Sequence, residues 1–179
     1  MRRLCLLWLS VVLVIHLAAC SWGSAPPPAA REVLAAMQDA MVSSAQPLPD
    51  GRVYTRAADP DSPAYLTDVL FAALYGEAAR GLFEADGDAV APVSDAAVYL
   101  SLAAYPCELA VFRCSDTRTA ATVAGLCQSR LDTLARGYAA TEWAELAARG
   151  RVSVKDCFVL MVLCDDPART LAAARRAVG

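Results

Sequence analysis

The segment from Cys107 to Cys114 reads Cys-Glu-Leu-Ala-Val-Phe-Arg-Cys and predicts one of the two main strands of the fold. The second strand, Phe158 to Cys164, reads Phe-Val-Leu-Met-Val-Leu-Cys and is apolar at every position. A strand without a polar face is typical of a sheet that is covered on both sides. Because a long helix joins the two strands in sequence, they are placed to lie beside each other in parallel.

Helices are predicted around these strands by apolar residues at three- and four-residue spacing. The longest runs from Thr117 to Tyr138, with Val123, Cys127, Leu131 and Leu134 on one stripe. Asp116 or Thr117 supplies its N-cap. The other helices are predicted from Ala30 to Ser44, from Ala64 to Tyr75, and after Asp165-Asp166-Pro167.

Two further strands complete the predicted sheet. One runs from Ala97 to Ala104, and the other, Val152 to Val154, forms a hairpin with the strand that begins at Phe158. Asp50-Gly51 is predicted as a turn. The elements follow the order ααββαββα, which predicts a single α+β domain over residues 30–179 with a mainly antiparallel four-stranded sheet packed with helices.

The first twenty residues predict export and a lipid anchor. Two arginines precede an apolar run from Leu4 to Leu17, which has the length of a signal peptide and is too short for a membrane-spanning helix. Leu17-Ala18-Ala19-Cys20 resembles a bacterial lipobox, in which the cysteine receives a diacylglyceryl group and the chain is cut before it. We therefore expect a signal peptide at residues 1–19 and a lipidated, Pro-rich tether at residues 20–29. An ordinary secretory signal with a chance cysteine is the alternative.

The charge and the histidine content of the chain argue against several classes of function. The chain has a formal charge of −3, and removal of the two leader arginines makes it more acidic, which argues against nucleic acid as a partner. The single histidine, His16, lies in the leader. A mature chain without histidine lacks the common Ser-His-Asp and Cys-His pairs and the common zinc sites. We therefore assign no catalytic residue, no metal site and no cofactor.

Five cysteines follow Cys20, and four of them bracket the two main strands. Cys107 and Cys114 flank one strand, and Cys157 and Cys164 flank the other at the same separation. In-register neighbouring strands would bring opposite cysteines near disulfide range. The interpretation that we favour is that all five are small buried hydrophobic residues with free thiols.

Arg130 lies on the core-facing side of the long helix, where a guanidinium needs a partner. Counting back from Thr117 along the helix and from Cys114 along the strand places Arg130 and Glu108 at the same level, roughly 20 Å from the connecting turn. If Glu108 faces the helix, the two form a structural ion pair. A ligand-binding charge is the alternative.

Several of these residues also resemble a known family. Tyr105-Pro106-x-Glu108, Arg130, Tyr138 and the Asp165-Asp166 that follows the last apolar strand are similar to small uncharacterised lipoproteins of Gram-positive, Clostridia-like bacteria. Leu74-Tyr75-Gly76 fits the same pattern, and the similarity covers most of residues 30–178. The hairpin near Asp156 lacks the glycine expected there. The resemblance implies a cell-surface lipoprotein and brings no activity with it.

Together these features predict a membrane-anchored lipoprotein on the outer face of the bacterial cytoplasmic membrane. Its partners would be the bilayer, through diacylglyceryl Cys20, and an unknown envelope protein or small ligand. A non-enzymatic binding or structural module is the favoured function. The alternative is a carboxylate-dependent cell-envelope hydrolase that uses Glu108, Asp165 and Asp166, because paired acids can hydrolyse glycosides.

Overall fold

A computed structural model describes residues 26–87 and 89–179, which form an α+β fold around one open antiparallel sheet. The five strands lie in the order β1-β2-β3-β5-β4. They span Gly51–Thr55 (β1), Val93–Ser101 (β2), Glu108–Cys114 (β3), Arg151–Lys155 (β4) and Phe158–Leu163 (β5). The five α-helices of the described residues span Ala30–Ser43 (α1), Asp68–Tyr75 (α2), Thr117–Tyr138 (α3), Ala144–Ala147 (α4) and Pro167–Val178 (α5), and a 3₁₀ turn covers Glu77–Ala79.

Helices cover both faces of the sheet, as the apolar sequence of β5 predicts. On one face, Phe112 of β3 and Met161 of β5 pack against α2 and α3. On the other face, Leu109 and Leu160 pack against α1 and α5. All six residues of β5 are buried. Since full burial of a large apolar side chain contributes about 1.5–3 kcal/mol, the central strands stabilise both layers of helices.

The predicted parallel arrangement of the two main strands is wrong. Strands β3 and β5 are neighbours, but they are antiparallel, with Glu108 opposite Leu163 and Arg113 opposite Phe158. The two strands are antiparallel because of the position that the β4–β5 hairpin takes in the sheet. Helix α3 carries the chain back, and the strand that runs parallel to β3 is β4, which forms the edge of the sheet. Its hairpin partner β5 then fills the place between β4 and β3.

The sheet also has a fifth strand, so the predicted order ααββαββα is incomplete. Gly51, predicted as part of a turn, begins β1, which pairs with β2 from Gly51–Ser101 to Thr55–Ala97. Glycine is needed at this position because a Cβ atom there would collide with the ring of Tyr99. The strand was missed because it is short and mostly exposed or half-exposed, with no clear alternation of apolar residues.

Element boundaries follow the local capping groups. Helix α3 has the predicted bounds, and its N-cap is Asp116, whose carboxylate accepts a hydrogen bond from the Thr119 amide at 2.7 Å. Helix α2 begins at Asp68 rather than Ala64, because Thr67 caps it. The strand predicted over Ala97–Ala104 is β2, and the short helix α4 was not predicted. No helix among the described residues is both long and apolar enough to cross a membrane.

A buried carboxylate holds the N-terminus of α1, where the chain leaves the Pro-rich segment. Asp95 of β2 is 8% exposed, and its Oδ2 accepts a hydrogen bond from the Ala30 amide at 2.8 Å. The N-terminus of a helix carries partial positive charge, so the carboxylate also interacts favourably with the helix dipole. Val33, Met37 and Met41 then pack α1 onto the sheet. Asp95 therefore fixes where the domain begins.

Replacement of this carboxylate should destabilise the domain. We expect Asp95→Ala to lower the free energy of unfolding by about 1–2 kcal/mol, the usual loss for a helix N-terminal hydrogen bond to a side chain. Urea denaturation measures this change. Asp39→Ala, at an exposed position of the same helix, is the control and should change stability by less than about 0.5 kcal/mol. Equal effects of the two substitutions would contradict the assigned role of Asp95.

Candidate functional site

The candidate site is built around Glu108, the first residue of β3. Its side chain lies on the sheet face that carries Ala110 and Phe112, and therefore faces α2 and α3. The residue is 4% exposed. A carboxylate buried to this extent needs partners for its charge and for both of its oxygens.

Arg130 of α3 supplies the opposite charge and donates hydrogen bonds to both carboxylate oxygens. Its Nη2 lies 2.8 Å from Oε2 of Glu108, and its Nε lies 3.2 Å from each carboxylate oxygen. The Arg130 side chain is 21% exposed, whereas that of Glu108 is 5% exposed. Burial alone would lower the pKa of the guanidinium, but the hydrogen bonds and the charge of Glu108 outweigh it and raise the pKa. The structure thus brings together the two residues that helix and strand counting placed at one level.

Tyr75 at the end of α2 is the third member of this cluster. Its hydroxyl donates a hydrogen bond to Oε1 of Glu108 at 3.4 Å. Burial, and then the negative charge of Glu108, raise the pKa of Tyr75 well above its ordinary value, so the hydroxyl stays protonated and remains a donor. Sequence reasoning gave Tyr75 no role. The available signal was its position just before Gly76, where the helix ends.

A small cavity of about 160 Å³ adjoins the ion pair. Its lining includes Glu108, Arg130, Tyr105 and Tyr138, together with apolar atoms of Leu134 and Leu163. Nη1 of Arg130 makes no hydrogen bond to any of the described residues. The cavity therefore combines an apolar wall with guanidinium N–H groups that a ligand can still use.

Tyr105 also lines the cavity. Its hydroxyl, however, is buried beside the Asp165 carboxylate. Burial, followed by the Asp165 carboxylate, raises the pKa of Tyr105, which keeps the hydroxyl protonated. The ring of Tyr105 packs edge-on against Trp143 with the centroids 5.0 Å apart. The hydroxyl of Tyr105 is therefore not a group that a ligand in the cavity reaches.

The acids considered for hydrolysis have other contacts. Glu108 is engaged by Arg130 and Tyr75. Asp166 is the N-cap of α5 and accepts a hydrogen bond from the Arg169 amide at 3.0 Å. Asp165 is half-buried beside Tyr105. The described residues also contain no cluster of three or more His, Cys, Asp or Glu side chains that would hold a metal ion.

Two of the predicted features lie outside the described residues. These are the signal peptide at residues 1–19 and the lipidated Cys20. Only residues 26–29 of the predicted tether are described, and they have no regular secondary structure.

Comparisons with protein-family models, with curated proteins and with solved structures find no match to this chain. The resemblance to small lipoproteins of Clostridia-like bacteria therefore stays a prediction.

The Glu108–Arg130 pair should stabilise the fold as a unit. We expect Arg130→Ala to lower the free energy of unfolding by about 3 kcal/mol, because it leaves Glu108 as an uncompensated buried charge. Glu108→Ala should cost a similar amount, and the double variant should cost little more than either one. Denaturant unfolding of the four proteins gives the coupling energy.

The pair Arg80–Glu77 is the matched control, because its side chains are 52% and 79% exposed. Arg80→Ala should change the free energy of unfolding far less than Arg130→Ala, because water screens an exposed pair. Additive losses for Glu108 and Arg130 would show that the two residues are not energetically coupled.

Proposed function

We propose that this chain is a lipid-anchored, non-enzymatic binding module on the outer face of the bacterial cytoplasmic membrane. The lipobox-like Leu17-Ala18-Ala19-Cys20 supports the anchor. The α+β domain begins at Ala30, so residues 20–29 separate it from the bilayer. A Pro-rich tether of this length reaches roughly 30 Å at about 3.1 Å per residue. Two acyl chains on Cys20 would hold the module stably at the membrane.

The observation that carries the binding function is the cavity above the Glu108–Arg130 pair. A volume of about 160 Å³ has room for a few water-sized groups. The ligand is therefore small, or it inserts one small end group. The available Nη1 of Arg130 favours a ligand with a hydrogen-bond acceptor such as a carboxylate.

The hydrolase alternative gains no support from these contacts. A glycosidase needs one carboxyl that gives up a proton and a second that acts as base or nucleophile. Arg130 and Tyr75 engage both oxygens of Glu108, and Asp166 caps a helix. The same contacts explain Glu108 and Asp166 as parts of the fold.

Cys20→Ala tests the anchor. We expect this variant to lose incorporation of labelled fatty acid and to leave the membrane fraction, or to accumulate as uncut precursor, because the thiol that accepts the lipid is gone. Ser24→Ala, in the same tether, should keep both the label and the membrane location. Continued labelling and membrane partitioning of the Cys20 variant would contradict the proposal.

A titration with acetate tests the cavity. We expect the Nε resonance of Arg130 in the NMR spectrum to shift in a saturable way, because the carboxylate would accept hydrogen bonds from the guanidinium. Tyr105→Phe, which removes only a hydroxyl buried away from the cavity, should leave acetate binding unchanged. Arg80 is an internal control, since an exposed guanidinium reports general ionic effects. Parallel, unsaturated shifts of Arg80 and Arg130 would contradict binding in the cavity.

A further inference from the structure

Although the sequence alone favours free thiols, we propose that four cysteines form two cross-strand disulfides, Cys107–Cys164 and Cys114–Cys157, which join β3 to β5 at both ends. All four are free thiols in the structure, as is Cys127. The proposal rests on the extracytoplasmic location proposed above, because disulfides persist outside the cytoplasm. Its geometric basis is the antiparallel pairing of the two strands.

The register of the strands places the cysteines opposite each other. Glu108 pairs with Leu163 and Arg113 pairs with Phe158. One step beyond each of these pairs puts Cys107 opposite Cys164 and Cys114 opposite Cys157. The Cys114 amide donates a hydrogen bond to the Cys157 carbonyl at 2.8 Å, so the pairing continues past the end of the strands.

Hydrogen-bonded and non-hydrogen-bonded residue pairs alternate along an antiparallel ladder, and this alternation gives the expected distances between the cysteine Cα atoms. The hydrogen bond makes Cys114–Cys157 a hydrogen-bonded pair, with Cα atoms about 5.5 Å apart. Counting along the ladder makes Cys107–Cys164 a non-hydrogen-bonded pair at about 4.5 Å. The Cys107 carbonyl instead accepts a hydrogen bond from Ser101 of β2, in agreement with that count. Both separations lie in the range of about 4.4–6.8 Å that disulfides span.

The two members of the first pair also share a face of the sheet. Cys107 and Cys164 are buried among the residues that contact α1 and α5. Cys114 is buried on the opposite face, and Cys157 is half-buried at the same end of the ladder. Cys127 lies on α3 and has no opposite cysteine in the register. It is the internal control.

Burial makes the folded thiols poor nucleophiles. It is the main cause that raises the pKa of Cys107 to about 12, with a contribution from Cys164. Burial also raises the pKa of Cys114 to about 12, with a contribution from Cys157. Since the thiolate is the attacking species, exchange is fastest before the strands are buried. Both bonds would therefore form during folding after export.

The oxidant is another disulfide, either a small molecule or an envelope oxidoreductase. One cysteine thiolate attacks the oxidant, which forms a mixed disulfide and releases one thiol. The opposite cysteine then loses its proton and attacks the protein sulfur of the mixed disulfide, which releases the second thiol. Each pair loses two electrons and two protons, and the oxidant is reduced to two thiols.

The test counts free thiols on the full chain extracted from membranes. Iodoacetamide is added under denaturing conditions without reductant, and the chain is analysed by mass spectrometry before and after reduction. We expect one adduct, on Cys127, before reduction and five after it, because the lipid occupies Cys20. Peptide mapping should find links 107–164 and 114–157. Five adducts without reduction, or any other pairing, would overturn the proposal.

Variants separate the two bonds. Cys164→Ser should raise the unreduced adduct count from one to two and leave the 114–157 link. Cys157→Ser should also raise the count from one to two, but it should leave the 107–164 link. Cys127→Ser should lower the count to zero and leave both links. A count that does not change with Cys164→Ser would overturn the first pair.

A second experiment tests the disulfides independently of the proposed membrane location. If the chain is found unlipidated in the cytoplasm, the proposed function fails and reduced cysteines are expected there. The same full chain is then unfolded, reduced and refolded with glutathione disulfide. Formation of both links supports the geometric inference, and its failure under these conditions overturns it.

Discussion

The antiparallel pairing of β3 with β5 is the contact on which the rest of the structure depends. These strands are apolar on both faces, so each face needs a layer of helices to keep it from water. One register fixes three separate features. It turns Glu108 toward α3, it brings the cysteines of the two strands opposite each other, and it leaves β4 at the edge of the sheet. A slip of β5 by one residue would turn its side chains to the opposite face and separate the opposite cysteines.

The ion pair between Glu108 and Arg130 adds a second constraint. Two charges were moved out of water, and the cost of that transfer is recovered only while both are present. The pair therefore fixes the level at which α3 crosses β3, and Tyr75 extends the same contact to α2. The polar cluster joins three elements in an otherwise apolar layer. The cavity lies beside the pair, where Nη1 of Arg130 makes no hydrogen bond to the described residues.

Local sequence signals predicted most of the elements but not how they pair. Helix α3 and its Asp116 cap follow from a clear apolar stripe and a capping residue, both of which act within a few residues. The direction of β5 relative to β3 depends on where a later hairpin enters the sheet, which no local pattern contains. Strand β1 is set by pairing with β2 and by the contact between Gly51 and Tyr99. At the site, helix and strand geometry located Arg130 and Glu108, whereas Tyr75 and the cavity depend on tertiary packing.

The central claim is the antiparallel register of β3 and β5, and an Hα–Hα nuclear Overhauser effect measures it directly. In this register Val111 and Leu160 form a non-hydrogen-bonded pair, whose Cα atoms lie about 4.5 Å apart. The account predicts a strong cross-peak between the Hα atoms of these two residues. A strong Hα–Hα cross-peak from Val111 to Val159 or Met161 instead, or none to β5, would contradict it.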